Sequence, residues 1–505
     1  MNFATKTITT ACFILLFSHS VLLAQDYNIL NYGASPDGQT LSTLAIQKAI
    51  DEAHADGGGR VLIPAGTFLS GSIVLKSGVD LHLHKKATLL GSLDSKDYIR
   101  LNKWTALIMA DSAYNIAVTG KGTIDGQGHP LALHIDSLFY AGEIDSSKYV
   151  FPEKRPKVTI RPEIIEFADC KYAKVTDVTI LNAASWVQTY WSCENLVIDN
   201  IRVDSDTYWN NDGIDIIDCR NVRITNCYIN SSDDGICLKS YRVKNYDKLE
   251  VKPMCDSIYI GNCTIRSSAS AIKFGTSSLY GFKNVTIEKI KVFDTFRSVI
   301  ALESYMGSVL ENVLIQDVQA VNTGNAIFIR AGERTGYGYG AVRNIVIRNM
   351  KVKIASRRPD HAYKIRGPAL PFFHNPFPAV IAGIPGNAVQ DIRLENIEIT
   401  YPGGGNNAYA NMPLHRIGGI PELPSAYPEF SMFGELPSWG FYIRHVENLN
   451  MINVRVKIRK PDYRPAFVLD DVKNSTLTSI QVVGDDKPDP IFLYQTEKIK
   501  IVDTD

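Results

Sequence analysis

The sequence predicts an all-β fold, a single-stranded right-handed parallel β-helix (a solenoid) with an N-terminal capping helix. A short strand phrase rich in Val and Ile recurs from about residue 170 onward, and its first copies read VTDVTI, VIDNIRV and ITNCYI. The polar bend residues of these copies, Asp177, Asn200 and Asn226, follow one another at intervals of 23 and 26 residues. A period in the twenties built from short strands is typical of a solenoid whose turns stack their cores.

The polar residue at each bend favours the same fold. Asn tolerates left-handed backbone and can donate a hydrogen bond to its equivalent one turn away, so we expect ladders of polar side chains along the bends. The bend positions are Asp177, Asn200, Asn226, Asn262, Lys289, Asp317, Asn349, Asn396 and Asn453.

The N-terminal residues predict export. Residues 1–24 contain a lysine, an apolar run and a final alanine, which is the pattern of a cleaved signal peptide. The run is too short to span a bilayer, and no later stretch offers 18 uncharged apolar residues. We therefore expect a periplasmic or extracellular protein in which residues 25–505 form one parallel β-helix catalytic domain.

Two segments depart from the strand pattern. Apolar spacing from Ala45 to Ala53 is helical and ends at GGG, and we expect this helix to cap the open end of the β-helix. Residues 354–440 are rich in Pro, Gly and aromatic residues, which predicts loop-rich insertions. Long loops on one face of a solenoid either wall its binding groove or wrap its last turns, and both interpretations stay open here.

Composition excludes several function classes. The formal net charge is zero and the pI is near 7.1, which removes the usual electrostatic argument for nucleic acid. Seven cysteines remain after residue 24, and this odd number with no CxxC motif favours buried packing over disulfides or zinc. We expect no cofactor, no metal and a monomer.

Three acidic residues predict a catalytic site. The segments NDGIDII and DDGICLK align without gaps at an offset of 22 residues, one turn of the solenoid. Parallel strands lie about 4.8 Å apart, so Asp212 and Asp234 are expected to be stacked neighbours that face solvent or a groove, with Asp233 beside them. Ile214 and Ile236 alternate with them and point into the core.

Crowded carboxyl groups suit one particular chemistry. Like charges at close range raise the pKa of at least one member. Glycoside hydrolysis needs one protonated carboxyl for the leaving oxygen and one carboxylate for water. An isolated Asp-Asp pair is common in turns, but the register with Asp212 favours a catalytic cluster of Asp212, Asp233 and Asp234.

These motifs resemble a known family. NNDGID and, one turn later, SDDGICLKS resemble the NTDG and DD motifs of the pectin-cleaving polygalacturonases, glycoside hydrolase family 28. The segments YGASPDGQ, AIQKAID, GGGRVLIPAG and GTIDGQG are also similar, so the resemblance covers roughly residues 27–350. It implies an inverting hydrolase of a pectic or related acidic polysaccharide, with Asp233 as general acid and Asp212 and Asp234 activating water.

Two departures from the family pattern concern the substrate. Ser270 stands where the family's GHG motif has histidine, and Ala301 and Glu303 stand where its RIK motif has cations. In the family those cations hold the galacturonate carboxylate, so plain polygalacturonate is not the expected substrate. Glu303 would repel such a group.

Cations elsewhere predict a different sugar pocket. Lys239 and Lys273 lie near the acids, Arg297 precedes the Glu303 strand, and Arg330 is expected to pair with Glu303 one turn later. Each of them alone also fits a solvated residue of the solenoid. Rhamnogalacturonan, a substituted pectin or another plant or algal glycan are the substrates considered. The predicted substrate-binding residues are Lys239, Ser270, Lys273, Glu303 and Arg330.

Two other function classes stay open at this point. On the same fold, a polysaccharide lyase would use acidic residues to bind calcium and a Lys or Arg to abstract a proton. A non-catalytic glycan-binding β-helix is compatible with the two altered motifs. Elimination creates a double bond that absorbs in the ultraviolet, and a binding protein releases no reducing ends, so product assays separate the three.

Overall fold

The computed structural model describes residues 26–241, 253–334, 336–365, 375–409 and 412–503. The predicted signal peptide lies outside these residues. Within them, no helix combines the length and apolar character needed to cross a membrane.

Short strands form nearly all of the regular structure. Among the described residues there are two α-helices, α1 (Thr43–Ala55) and α2 (Gly128–Tyr140). The 3-10 helices span Ile29–Tyr32, Ser95–Asp97, Ser146–Lys148, Phe151–Glu153, Val158–Ile160, Asn407–Tyr409 and Leu414–Gly419. The strands are β1 (Asp26–Asn28), β2 (Asp37–Leu41), β3 (Gly59–Ile63), β4 (Gly66–Ser70), β5 (Ile73–Val74), β6 (Val79–Leu83), β7 (Ala87–Gly91), β8 (Ala106–Asp111), β9 (Ala117–Gly120), β10 (Thr123–Asp125), β11 (Tyr149–Val150), β12 (Arg155–Pro156), β13 (Glu163–Ala168), β14 (Lys174–Thr176), β15 (Thr179–Leu181), β16 (Gln188–Trp191), β17 (Glu194–Asp199), β18 (Arg202–Ser205), β19 (Ile214–Ile217), β20 (Arg220–Thr225), β21 (Tyr228–Ser231), β22 (Ile236–Ser240), β23 (Cys255–Gly261), β24 (Thr264–Ser267), β25 (Ile272–Ser278), β26 (Phe282–Ser304), β27 (Val309–Ala331), β28 (Ala341–Ile354), β29 (Ala379–Ala382), β30 (Val389–Tyr401), β31 (Phe441–Ile458), β32 (Phe467–Val483), β33 (Ile491–Tyr494) and β34 (Glu497–Val502).

From β13 to β25 the strands stack in parallel, three to a turn, and the long strand β26 then pairs with β23, β24 and β25 together. Strand β13 pairs with β16, β14 with β17, and β15 with β18, and each pair is parallel. We call the stack that contains β13, β16, β19, β22 and β25 the first sheet, and the stack that contains β15, β18, β21 and β24 the third sheet. The pairing confirms an all-β parallel β-helix, whereas its right hand stays a prediction.

The bend residues behave as the sequence predicts. All nine have φ between 52° and 65°, the left-handed region, and most are Asn or Asp, whose short polar side chains tolerate it. Asn262 Nδ2 donates to Asn226 Oδ1 at 2.7 Å, and Asn453 Nδ2 donates to Asn396 Oδ1 at 2.8 Å. Polar ladders therefore stabilise the outside of the turns.

The inward side chains form one continuous apolar core. Ile214, Ile236 and Ile272 occupy equivalent positions on successive turns and are fully buried. The seven cysteines after residue 24 are free thiols and all are buried, which confirms their predicted packing role.

The predicted helix is present as α1 at the N-terminal end. Its buried residues Ile46, Ala49, Ile50 and Ala53 belong to the core of the solenoid. Their spacing brings one face of the helix onto that core. That α1 caps the β-helix stays a prediction.

The region 354–440 contains strands of the solenoid as well as loops. Its described part includes β29 and β30, which pair with neighbouring turns and so belong to the solenoid. The loops around these strands pack a second apolar cluster, with Phe377 and Phe430, onto Phe328 of the first sheet. This part of the region therefore covers the later turns.

Candidate active site

The three predicted acids lie together on the outer side of the first sheet. Ile214 is in register with Ile236, which confirms the 22-residue offset and stacks Asp212 on Asp234. The Asp212 and Asp234 carboxylates each have an oxygen within 4.8 Å of the other. The backbone N–H of Asp234 donates to Asp233 Oδ1 at 3.0 Å. Chain segments one turn apart thus build a single cluster.

The sequence predicts that the acids face solvent or a groove, and the structure buries two of the three. The side chains of Asp212 and Asp234 are only 6% and 5% exposed, because lysines cover them. Asp233 is half-buried and lines a cavity of about 500 Å³. Asp233 is therefore the member of the cluster that a substrate in this cavity would meet.

Lys239 holds two carboxyl groups rather than facing a substrate. Its Nζ lies 2.8 Å from Asp212 Oδ2 and is ion-paired with Asp215, whose side chain is fully buried. Burial raises the pKa of Asp212, and it raises the pKa of Asp215 to about 6 although Lys239 opposes both shifts. One ammonium group thus faces two buried carboxyl groups, and its charge opposes but does not cancel the rise in their pKa values.

Lys273 forms a similar ion pair with Asp234. Its Nζ lies 3.1 Å from Asp234 Oδ2 and donates to the Tyr427 hydroxyl at 2.8 Å. The backbone N–H of Ser270 donates to Asp234 Oδ1 at 3.0 Å. Burial alone would raise the pKa of Asp234, but Lys273 and Arg297 outweigh it and hold that pKa below its usual range. Asp234 is thus kept as a carboxylate.

Asp233 has the opposite electrostatic environment. Burial, reinforced by the charge of Asp234, raises the pKa of Asp233 above its usual value. Asn210 Nδ2 donates to Asp233 Oδ2 at 3.4 Å. Adjacent residues therefore have pKa values moved in opposite directions, which is the arrangement that separates an acid from a base.

The cavity beside Asp233 contains residues that the sequence did not reveal. Arg155 and Trp209 line one part of it, with the guanidinium carbon 4.9 Å from the ring centroid, and Arg297 and Tyr427 line another. Only Arg297 was considered from the sequence. Tyr427 comes from the aromatic-rich loops, whose composition was the available signal, whereas no motif marked Arg155 or Trp209.

The predicted ion pair between Arg330 and Glu303 is wrong. The two residues are neighbours in register. However, the buried guanidinium of Arg330 donates to the backbone carbonyls of Gly383 and Glu422 and to the Tyr305 hydroxyl. Arg330 therefore fastens loops to the first sheet, because covering loops bring carbonyl oxygens to it.

Glu303 also lies out of reach of a substrate. It is 1% exposed, and Thr276 Oγ1 donates to its Oε2 at 3.2 Å. Burial raises the pKa of Glu303 to about 7. Ser270 and Lys273 are each 3% exposed, so of the five predicted substrate-binding residues only Lys239 is not fully covered.

Two buried glutamates, Glu163 and Glu166, lie on the same sheet two turns before Asp215 and were missed from the sequence. Glu166 Oε1 accepts from the backbone N–H groups of Lys103 and Trp104 at 3.2 and 3.0 Å. Burial raises the pKa of Glu166 to about 7, and burial also raises the pKa of Glu163 well above its usual value. Glu163 is 2% exposed, and the charge of Lys239 only partly offsets the cost of burying its carboxyl group.

Glu163→Gln is expected to stabilise the protein as pH rises. The folded state disfavours the ionised form of Glu163. The free energy of unfolding of the wild-type protein is therefore highest below the unfolded pKa near 4.5, and it falls as pH increases towards the folded pKa. The loss is about 1.4 kcal/mol per pH unit in that window. Melting temperatures of both proteins from pH 4 to 8 should diverge with increasing pH. Glu497→Gln, at an exposed position, should stay parallel to wild type; a constant difference for Glu163→Gln would contradict the assignment.

The same cluster gives little support for a metal ion. Within the described ranges, the one group of potential ligands with atoms in mutual reach is Asp212, Asp234 and Cys237. Lys239 and Lys273 already supply positive charge to both carboxylates.

Comparison with known proteins finds a matching family model, similar sequences and a solved structure of similar fold. Residues 56–253 match the family model described as Glycosyl hydrolases family 28. A probable polygalacturonase of Vitis vinifera is 29% identical over 350 residues, 65% of this chain and 61% of that protein, so the chain spans less than two thirds of that relative. Mannuronan C5-epimerase AlgE1 of Azotobacter vinelandii is 35% identical over 122 residues, 23% of this chain and 9% of its own. The solved structure of Yersinia enterocolitica family 28 exopolygalacturonase has a TM-score of 0.61 at 20% identity, covers 94% of this chain and 78% of its own, and shares the fold.

Proposed function

On the premise that residues 56–253 match the family model described as Glycosyl hydrolases family 28, we propose that this chain belongs to that family and hydrolyses a glycosidic bond in an acidic polysaccharide with inversion. Asp233 gives its proton to the glycosidic oxygen as the bond to the anomeric carbon breaks. Asp234 takes a proton from the water that attacks that carbon from the opposite face. Asp212 orients the water, and the product is a reducing end of inverted configuration.

The opposite pKa shifts of two adjacent acids are the observation that carries this proposal. A general acid must be protonated near neutral pH, and Asp233 has a raised pKa and borders the cavity. A general base must be ionised, and the pKa of Asp234 is lowered. Lys239 and Lys273 are positioning residues, since each acts through a carboxylate.

The cavity supports an acidic sugar as the substrate unit beside Asp233. Arg155 and Arg297 bring guanidinium groups to its lining, each already ion-paired with one glutamate, Glu153 and Glu429 respectively. A guanidinium group has several donors and can bind a further carboxylate. Trp209 and Tyr427 offer ring faces for the apolar side of a sugar. Glu303 does not border this cavity, and Glu153, which does, is ion-paired with Arg155. A pectic glycan with acidic units therefore fits the lining.

A product assay on a panel of pectic and algal glycans tests the proposal. We expect new reducing ends without ultraviolet-absorbing product, and NMR of the fresh anomeric proton should show inversion. Absorbing product would indicate elimination, and altered C5 configuration without chain cleavage would indicate an epimerase. Binding with no chemistry on any glycan would indicate a binding protein, and each of these outcomes rejects the hydrolase.

Lys273→Met is expected to move the acidic limb of the pH profile upward. Asp234 acts ionised, so kcat/KM falls as pH drops through its pKa. Removal of the Lys273 charge raises that pKa by about one to three pH units, the usual effect of a nearby opposite charge. Tyr427→Phe removes the hydroxyl partner of Lys273 but keeps the charge of Lys273, so the acidic limb of the pH profile of this variant should stay in place. An unchanged limb in Lys273→Met would show that Asp234 is not the base.

A further inference from the structure

A second groove lies on the third sheet, away from the acid cluster. It has a volume of about 420 Å³ and crosses several turns of the solenoid. Lys291, Lys351 and Lys353 line it together with the apolar residues Phe293 and Val321. Val321 is 49% exposed, which is unusual for an apolar strand residue in the middle of a sheet.

The groove belongs to a basic stripe in a protein of zero net charge. Further along the same two rows of the sheet, Arg455 and Lys457 continue the positive charge, and Glu398 is the one acid between them. Glu398 accepts ion pairs at 3.1 Å from both Lys351 and Lys457. Lys291 and Lys353 have no acidic partner among the described residues. The stripe thus has more cations than the protein itself neutralises.

The spacing of these cations selects a polymer over a small anion. Lys291 is in register with Gln319, and Gln319 with Lys351, so the two lysines are separated by two turns. Turns lie about 4.8 Å apart, which separates the two backbones by about 10 Å. A chain with repeated carboxylates can contact several of these cations in succession, whereas a single carboxylate engages only the cations beside it, as Glu398 does with Lys351 and Lys457. The exposed faces of Phe293 and Val321 suit the apolar faces of sugar rings.

We propose that this groove is an accessory binding site for an anionic polysaccharide, which holds the polymer while another part of it occupies the acid cluster. The inference rests on the proposed acidic-polysaccharide substrate. It assigns polymer retention to residues of the third sheet, which have no part in the chemistry. Several weak, spaced charge contacts add to the affinity of the catalytic cavity because both sites engage one chain.

Affinity electrophoresis tests the groove through gels that contain polygalacturonate, which serves as a glycan with repeated carboxylates and not as the substrate expected at the acid cluster. All proteins carry Asp233→Asn so that the polymer stays intact. The test variant is Lys291→Gln with Lys353→Gln, and the matched control is Lys48→Gln with Lys121→Gln, which removes the same charge at exposed sites elsewhere. We expect the dissociation constant of the test variant to rise about tenfold, since two exposed charge contacts are lost. The control should match its parent.

Each outcome decides the proposal. Equal retardation of the test and control variants would overturn it, and so would a parent protein that polygalacturonate does not retard. Retardation of the parent by poly-glutamate as strong as by polygalacturonate would overturn the assignment to a glycan. Failure of the hydrolase is seen separately, as absence of new reducing ends with unmutated protein. A protein that polygalacturonate retards but that releases no reducing ends would support the binding groove and would contradict the proposed hydrolysis.

Discussion

Replacement of Asp233 by Asn is expected to abolish turnover and to leave the folded state almost unchanged. Asn cannot give a proton to the leaving oxygen, and loss of a general acid costs about 10²- to 10⁴-fold in rate. The Asn oxygen can still accept from the backbone N–H of Asp234 as Asp233 Oδ1 does at 3.0 Å. The substitution also removes a carboxyl group that lies close to another, so the melting temperature should not fall.

The measurement compares kcat and melting temperature for Asp233→Asn, wild type and Asp256→Asn. Asp256 pairs with Lys283 at 3.7 Å on the surface and serves as the control for an ordinary acid-to-amide change. A substrate with an activated leaving group needs no protonation, so it should restore much of the rate to Asp233→Asn. Full activity of this variant on the natural glycan would show that another group is the acid.

Replacement of Ile236 by Asp is expected to unfold the central turns. Ile236 is fully buried between Ile214 and Ile272 in the stack of the first sheet. The new carboxylate would have no partner there, and an unpaired buried charge costs several kcal/mol. Each turn of a solenoid is stabilised by its two neighbours, so loss of one turn weakens those on both sides.

Ile236→Val is the matched control, with an expected loss of about 0.5–1.5 kcal/mol for one methylene. Circular dichroism melts of wild type and both variants would measure the difference. A melting temperature of Ile236→Asp equal to that of Ile236→Val would mean that the side chain at this position does not point into the core.

The fold was predictable because its rules are local and repeat with every turn. Apolar alternation places Ile214 and Ile236 inside, and the left-handed φ values of Asn226 and Asn262 match the bend that Asn favours. The gapless alignment of NDGIDII with DDGICLK also predicted the stacking of Asp212 on Asp234. In a parallel register, residues that are one repeat apart in the chain become neighbours in space. These features can therefore be predicted from the sequences of two successive turns.

The partners of the acids were harder to predict because long side chains reach across turns. Lys273 was expected to bind substrate, yet it neutralises Asp234, and Arg330 was expected to pair with Glu303, yet it binds backbone carbonyls. Tyr427 is far from Asp233 along the chain but lines the same cavity. No periodic pattern encodes which loop covers which strand.

The sequence by itself determined the parallel β-helix, the inward and outward sides of its strands and the stacking of Asp212 on Asp234, because one short pattern repeats at every turn. Only the tertiary structure decided which acid faces the cavity and which carboxyl groups keep their protons. Those properties depend on burial and on the lysines and loops that surround each group, since the energy of a charge is set by every neighbour in space.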